Sequence, residues 1–447
     1  MEVRIISREI IKPSSSTPNH LKTHKLSLLD QSNLNGYFSF ILFYSTRFTS
    51  SSDHLKKSLS ETLTHYYPFA GRVNDCFSVE CGDYGVTFIE AQVTGKIFEV
   101  LQQQEIDLLK MLVQRNHEES STTQGNNVAV QINYFDCGRV AIAVGFRHAV
   151  ADATTAANFI KSWATISRGG NDIKNVIFDC TSIFPPIDFS VSTISTAASS
   201  STETIIKRFV FEGSNIAELQ DTIGKGRSTT RFEAVSALIW SAIIAAKTAT
   251  NESTTGEEFH AIIPVSLRKK MMNLPALEQC IGNIITLAIA TWTPLTEEKI
   301  AIDYKRLAGK VRESISRVNE QACEQACADD DDDIIGSKLL KMRDRVFARD
   351  AAKSNEKRLV FLSSVCRLPF YEADFGWGEP IWMTCVRHQS RAVINEAILF
   401  DTKDGKGIEA CVRLPEADMA KFEQHPAILA YASFNNPLIL ELLKSNL

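Results

Sequence analysis

The chain has 447 residues, past the size at which one hydrophobic core stops growing, so two domains are expected. It is 44% hydrophobic and 23% charged, with a net charge of −5 and a pI of about 6.0. That balance excludes a basic footprint for nucleic acid or an anionic membrane.

MEVRIISREI at the start sets Glu2, Arg4, Arg8 and Glu9 where a signal peptide needs an apolar stretch. PSSSTP at 13–18 reads as a loop and LNGYFSFILFYST at 34–46 as a buried strand. SDHLKKSLSETLTHYYP at 52–68 has the spacing of an amphipathic helix, with Ser52 or Asp53 as cap and Leu55, Leu59 and Leu63 on one face. VTFIEAQV at 86–93, VAVQINYF at 128–135 and RVAIAVGFRH at 139–148 read as strands, the last delivering His148 at its end. A helix over 155–167 follows, stopped by Gly169-Gly170.

STISTAASSSTET at 192–204 has no apolar period and reads as an exposed linker. Beyond it the pattern restarts: a strand at 207–213, a helix at 214–223 capped by Ser214 and a long helix at 229–249. Strands at 259–268 and 282–292 follow, then a hairpin of 392–400 with 407–415. ADDDDD at 328–333 lacks the glycine of a calcium loop and reads as solvated surface. The longest apolar run, ALIWSAIIAA at 237–246, is half a membrane span. The terminal SNL lacks the lysine of a peroxisomal tail, so a cytoplasmic location is expected. Ten scattered cysteines, with only Cys76/Cys81 and Cys323/Cys327 close together, show no zinc spacing and read as reduced thiols. Two α/β halves, 1–190 and 206–447, joined across 191–205, point to a site in the cleft between them.

GFRHAVADAT at 145–154 is the stretch with chemistry in it. His148 and Asp152 supply two metal ligands where zinc needs three, and no other His or Cys cluster adds one, so no metal is expected. A strand-end histidine bound to a carbonyl, with Asp152 capping the next helix, is a structural reading. A general base is the other: imidazole titrates near cytosolic pH and takes protons from alcohols or amines. No GxSxG elbow is present, so the nucleophile would be the substrate's own. These ten residues alone leave both readings open.

RLPFYEADFGWGEP at 367–380 lies more than 200 residues further on. Its Asp374-Phe375-Gly376-Trp377-Gly378 resembles the DFGWG signature of the plant BAHD acyl-CoA-dependent acyltransferases, and HAVAD at 148–152 matches their HxxxD. LSLLDQ at 26–31, HYYPFAGRV at 65–73, VSLR at 265–268 and IGNI at 281–284 stand in the family's order. A kinase reading of the DFG fails, since no Gly-rich loop or HRD accompanies it.

The resemblance implies an α/β fold of two chloramphenicol-acetyltransferase-like domains, with mixed sheets and a central channel. His148 would deprotonate the acceptor, which attacks the acyl-CoA thioester with no acyl-enzyme. Asp152 is implied to pair structurally with Arg268. Asp374, Gly376, Trp377 and Gly378 are implied to be architectural. Ser363 stands where relatives carry a threonine and would donate to the oxyanion, while Val365 replaces an expected tryptophan and would open volume near the reacting centre. Arg227, Ser228 and Thr229, ahead of the long helix, and Asn283 are expected to touch CoA. Acyl-CoA enters as co-substrate, no cofactor is permanently bound, and a monomer is expected.

CIGNI at 280–284 departs from the YFGNC of the malonyl-using branch. The pattern resembles instead the branch of vinorine synthase and other alkaloid or terpenoid O-acetyltransferases. Acetyl transfer to a compact polycyclic alcohol of plant specialised metabolism is the implied reaction. Benzoyl, tigloyl or N-acyl transfer on the same fold, or a non-transferring lyase or binding relative, are the alternatives.

Overall fold

Runs of β-branched and aromatic residues broken by short polar turns set the strands, and leucines at helical spacing set the helices laid on them. The structure, a computed structural model of the chain, describes residues 1–34, 36–103, 106–114, 125–171, 176–187, 203–224, 228–248, 257–270, 275–293, 304–326, 358–388 and 395–434. In chain order the first half runs β1 (Val3–Ile11), β2 (Thr23–Lys25), α1 (Leu28–Gln31), β3 (Tyr37–Phe43), α2 (Ser52–His65), β4 (Arg72–Val73), β5 (Ser78–Glu80) and β6 (Val86–Val93). It continues through α3 (Ile97–Gln103), α4 (Ile106–Met111), β7 (Val128–Phe135), β8 (Val140–Arg147) and α5 (Ala153–Ser167). The second half has β9 (Thr204–Phe211), α6 (Gly213–Gly224), α7 (Arg231–Thr248), β10 (Phe259–Ser266), β11 (Ile285–Trp292) and α8 (Tyr304–Ala326). It ends with β12 (Leu359–Ser364), β13 (Trp382–His388), β14 (Glu396–Asp401), β15 (Ile408–Pro415), α9 (Glu416–Glu423) and α10 (Pro426–Tyr431).

Two mixed six-stranded sheets dominate, ordered β1-β6-β7-β8-β3-β13 and β11-β10-β12-β14-β15-β9; β2, β5 and β4 form a small third sheet. In the first, β6 and β7 run parallel and their neighbours antiparallel; in the second, β10, β12 and β14 run parallel. Leu55, Leu59 and Leu63 of α2 and Phe159, Ile160 and Trp163 of α5 are fully buried against the first sheet's Phe40, Val144 and Phe146. On its other face Ile41, Phe43 and Ala143 meet α3 and α4. The second sheet packs Val360, Leu362, Leu399 and Val412 against α6, α7, α8, α9 and α10.

Several expectations need revision. Ser51, not Ser52 or Asp53, caps α2, through its side chain to the His54 amide. Ser214 lies inside the first turn of α6, which begins at Gly213. β13 returns from the second half to the edge of the first sheet beside β3, so that sheet is not built from residues 1–190 alone. Most of the expected linker (191–205), the acidic stretch 328–333 and Arg227 lie outside the described residues.

Candidate active site

β8 is buried throughout, and its alternate residues Val140, Ile142, Val144 and Phe146 face α2 and α5. The same period carries His148 onto that face, one residue past the strand's end, where it is partly exposed. Its amide donates to the Gly36 carbonyl at 2.7 Å. A side chain at Gly36 would bring Cβ within 2.8 Å of the His148 Cβ, so glycine is what lets the loop before β3 touch the histidine. The Phe38 ring closes one side, edge-on at 5.0 Å between centroids.

His148 Nδ1 lies 2.9 Å from Asn283 Oδ1. Asn283 Nδ2 donates to Asp30 Oδ1 at 2.9 Å and to the His148 carbonyl at 2.6 Å. Turning the amide over would set its oxygen against both acceptors, so Oδ1 faces the imidazole and Nδ1 carries the proton. Nε2 is therefore the basic nitrogen. Asp30 is itself locked. Asn283 N and Nδ2 bind its Oδ1, and Ser27 N and Oγ bind its Oδ2 at 3.0 and 2.6 Å. Burial holds this carboxyl above its usual value, against the downward pull of the donors on both oxygens. Gly282 makes the approach possible: its φ is +108° and a Cβ there would meet Asp30 Oδ1 at 2.9 Å.

This geometry corrects the assignment of Asn283 to CoA. The residue has no exposed surface, and its side-chain donors are spent on His148 and Asp30. Asp30, Gly36, Gly282 and Phe38 went unassigned in the sequence. LSLLDQ and IGNI marked the segments of Asp30 and Gly282, but no spacing rule joins Asp30 to Asn283, 253 residues apart.

Enclosure and the Arg387 cation hold the imidazole below its ordinary value of 6.5, against the upward pull of its own backbone, Asp152 and Asn283. At neutral pH the ring is unprotonated and ready to accept a proton.

Asp152 points away from the ring. It caps α5 through Oδ1 to the Thr155 amide at 2.9 Å. Arg268 Nη1 and Nη2 donate to its two oxygens at 2.5 and 3.1 Å, and the Ile284 amide adds a third contact at 3.1 Å. Both residues are buried, Asp152 2% and Arg268 5% exposed. Burial alone would raise the Asp152 carboxyl; the guanidinium and these hydrogen bonds outweigh it and hold the group below its usual value. Arg268 Nη2 also reaches the Thr155 hydroxyl and the Cys280 and Gly282 carbonyls. One cluster thus ties the turn after β8 to the loop that carries Asn283.

The DFGWG loop docks elsewhere, on the C-terminal end of α5. Asp374 Oδ1 accepts from the Gly376 and Gly378 amides at 2.8 and 2.9 Å, and Oδ2 faces Arg168 at 3.6 Å. Gly376 and Gly378 have φ of +108° and +107°, a region that favours glycine. Trp377 stacks on Phe375 at 5.6 Å and meets Tyr44 and Phe48 edge-on.

Ser363 is half-buried in β12, opposite Ile398 and on the same face as Phe361. That face turns toward the first sheet, since Phe361 lies under the Arg387 guanidinium of β13. Ser228 is exposed and its carbonyl accepts from Arg312, while Thr229 is 8% exposed. The α7 N-terminus beside them is closed by a reciprocal pair, Thr230 N to Glu233 and Glu233 N to the Thr230 hydroxyl. A surface cleft opens there, lined by Thr230, Arg231, Phe232, Ser364 and Arg367. Among the described residues no group of three or more His, Cys, Asp or Glu is placed to hold a metal, and no helix is long and apolar enough to cross a membrane.

The family model described as "Transferase family" matches residues 1–429. The chain is 45% identical over 459 residues to epi-neemfruitin B synthase of Melia azedarach, covering 98% of this chain and 100% of that protein. It is 42% identical to limonoid 1-O-acetyltransferase of Citrus sinensis, with 98% and 100% covered. The crystal structure of vinorine synthase superposes with a TM-score of 0.80 at 30% identity, covering 97% of this chain and 99% of that one. A F. sporotrichioides protein crystallised with coenzyme A and T-2 shares the fold at a TM-score of 0.69 and 15% identity, over 92% and 99% of the two chains. The HxxxD and DFGWG segments, the family model over residues 1–429 and the full-length relatives together establish that this chain belongs to the BAHD family of acyltransferases.

Proposed function

We propose that the protein transfers an acetyl group from acetyl-CoA to a hydroxyl of a polycyclic plant metabolite, a terpenoid or alkaloid alcohol, with His148 as the general base. One observation carries the reading: the amide of Asn283 fixes the proton on Nδ1, which leaves Nε2 of a partly exposed imidazole as acceptor. Nε2 takes the hydroxyl proton as the oxygen attacks the thioester carbonyl. The tetrahedral oxyanion collapses, and the departing thiolate takes the proton back from the imidazolium. Asn283 Oδ1 stabilises that imidazolium, with Asp30 behind it holding the amide. Ser363 is the expected oxyanion donor. CoA enters through a channel between the sheets from the side of Ser228, Thr229 and the cleft at the α7 N-terminus.

The substrate class rests on the names of relatives. Limonoid O-acetyltransferases of Citrus sinensis and Melia azedarach are 42–43% identical, and salutaridinol 7-O-acetyltransferase of Papaver somniferum is 35% identical. Incubating the enzyme with acetyl-CoA and a panel of limonoid and alkaloid alcohols tests the reading. Free CoA thiol should appear together with an acetyl ester of one acceptor. Thiol release that never exceeds the acceptor-free background overturns it.

A further inference from the structure

Arg387, on β13, takes no part in the steps above, yet its cation acts on the base. In register it stands opposite Phe38 of β3, and Phe38 stands opposite Phe146 of β8. Cross-strand partners share a face. Phe38 touches both Phe146, at 5.9 Å between centroids, and His148. The Arg387 side chain therefore leaves the sheet on the His148 face, one strand beyond the ring that flanks the imidazole. Across the gap, Phe361, Glu396 and Arg413 form a matching row of the second sheet. The Arg387 guanidinium ion-pairs with Glu396 and lies 5.7 Å from the Phe361 centroid.

Charge is out of balance in this row. Glu396 faces Arg413 Nε as well, at 3.6 Å, so among the described residues one carboxylate serves two guanidiniums. The Glu396 and Arg413 side chains are 6% and 10% exposed, while that of Arg387 is 34% exposed. The surplus cation is thus the accessible one. A buried pair kept for packing alone needs one arginine, and an apolar side chain would fill the slot between Phe38 and Phe361 without acting against the base. A guanidinium there is accounted for by a ligand oxygen that it binds.

We propose that Arg387 is an acceptor-recognition residue, donating to an sp² oxygen that the alcohol carries near the hydroxyl being acylated: a ketone, lactone, ester or carboxylate oxygen. This rests on the acyl-transfer reading. The acyl-CoA side is assigned above to another region, the cleft at the α7 N-terminus. An acceptor held from Arg387 spans Phe38 toward Nε2 of His148, which orients one hydroxyl among several.

The test uses the full-length enzyme, acetyl-CoA, the best acceptor found by thiol release and that acceptor's analogue with the neighbouring carbonyl removed. Arg387→Met should raise the acceptor KM about tenfold or more, leave the acetyl-CoA KM within about twofold and erase the preference for the oxo over the deoxo acceptor. Arg387→Lys should restore part of that preference. A wild type that releases no CoA overturns the acyl-transfer reading and this one with it. An active wild type whose Arg387→Met variant keeps the oxo preference, or loses acetyl-CoA affinity equally, overturns this one alone. A second measurement needs no acceptor. Carbethoxylation of the His148 peptide, followed by mass against pH, reads the ring's titration. The groups acting on the ring are Arg387, Asp152 and Asn283, with Phe38 and the Gly36 carbonyl uncharged beside it. Removing the cation should shift the titration to higher pH. An unmoved profile means that Arg387 does not face the base, and the proposal fails.

Discussion

At the scale of single residues, the proposed chemistry depends on one nitrogen of His148. Its Nδ1 proton is held by Asn283, its ring is flanked by Phe38, and its amide is tied to Gly36. The tie to Gly36 is main-chain and survives loss of the ring. His148→Ala should therefore lower kcat by about 10²–10⁴ while leaving the melting temperature near that of the wild type. Retention of more than about a tenth of kcat would rule out the general-base role. The sign of the pH dependence follows from the depressed titration. The active form is neutral imidazole, so kcat/KM should be level through pH 7 and fall as pH drops through a value below 6.5. An acid limb centred above 6.5 would contradict the arrangement of enclosure and Arg387 around the ring. His148 and its motif were legible because a polar residue at the end of an apolar strand breaks the pattern. Asn283 was misread because a short polar residue in a loop has no period; its burial exists only once α1 and the 280–284 loop meet.

At the scale of elements, the Asp152–Arg268 cluster joins α5, the end of β10 and the loop before β11. It is a buried, bidentate pair with every carboxylate oxygen engaged, so removal of either partner strands a charge. Asp152→Ala and Arg268→Ala should each cost about 3–5 kcal/mol, more than His148→Ala, read as a fall in melting temperature and soluble yield. The folded carboxyl titrates below its usual value, so this contribution is present above the unfolded pKa and is lost as pH falls through the folded one. An Asp152→Ala protein as stable as wild type but inactive would instead make Asp152 an orienter of the imidazole. The strands and helices were mostly legible, since apolar periodicity is local. The edge position of β13 was not: nothing local marks which sheet its residues join, and the partner, β3, lies more than 300 residues earlier. Helix starts shifted by a residue, as with the Ser51 cap of α2 and the start of α6 at Gly213, because turn boundaries are weakly marked in sequence.

At the scale of the whole molecule, the return of β13 to the first sheet sets Arg387 against Glu396 and Phe361, so the two sheets face each other across the site. The size of what fits between them decides the donor. A valine at position 365, where a tryptophan is expected, suggested extra volume for a benzoyl or branched acyl chain. The structure buries Val365 to 8% exposure in one apolar cluster with Phe370, Ile398 and Phe400, and ties its amide to the Leu399 carbonyl at 2.9 Å. Neighbouring side chains already pack against it, so its small size does not by itself make room for a larger acyl group. The absence of YFGNC at 280–284 separately argues against malonyl transfer. A compact donor is what this packing favours. Acetyl-CoA and benzoyl-CoA offered in competition, with the same alcohol, should therefore give a kcat/KM ratio in favour of acetyl. Enlarging the site by Val365→Ala should move the ratio toward benzoyl if the cluster borders the acyl chain. A wild-type ratio favouring benzoyl by about tenfold would overturn the acetyl assignment while leaving the proposed role of His148 untouched.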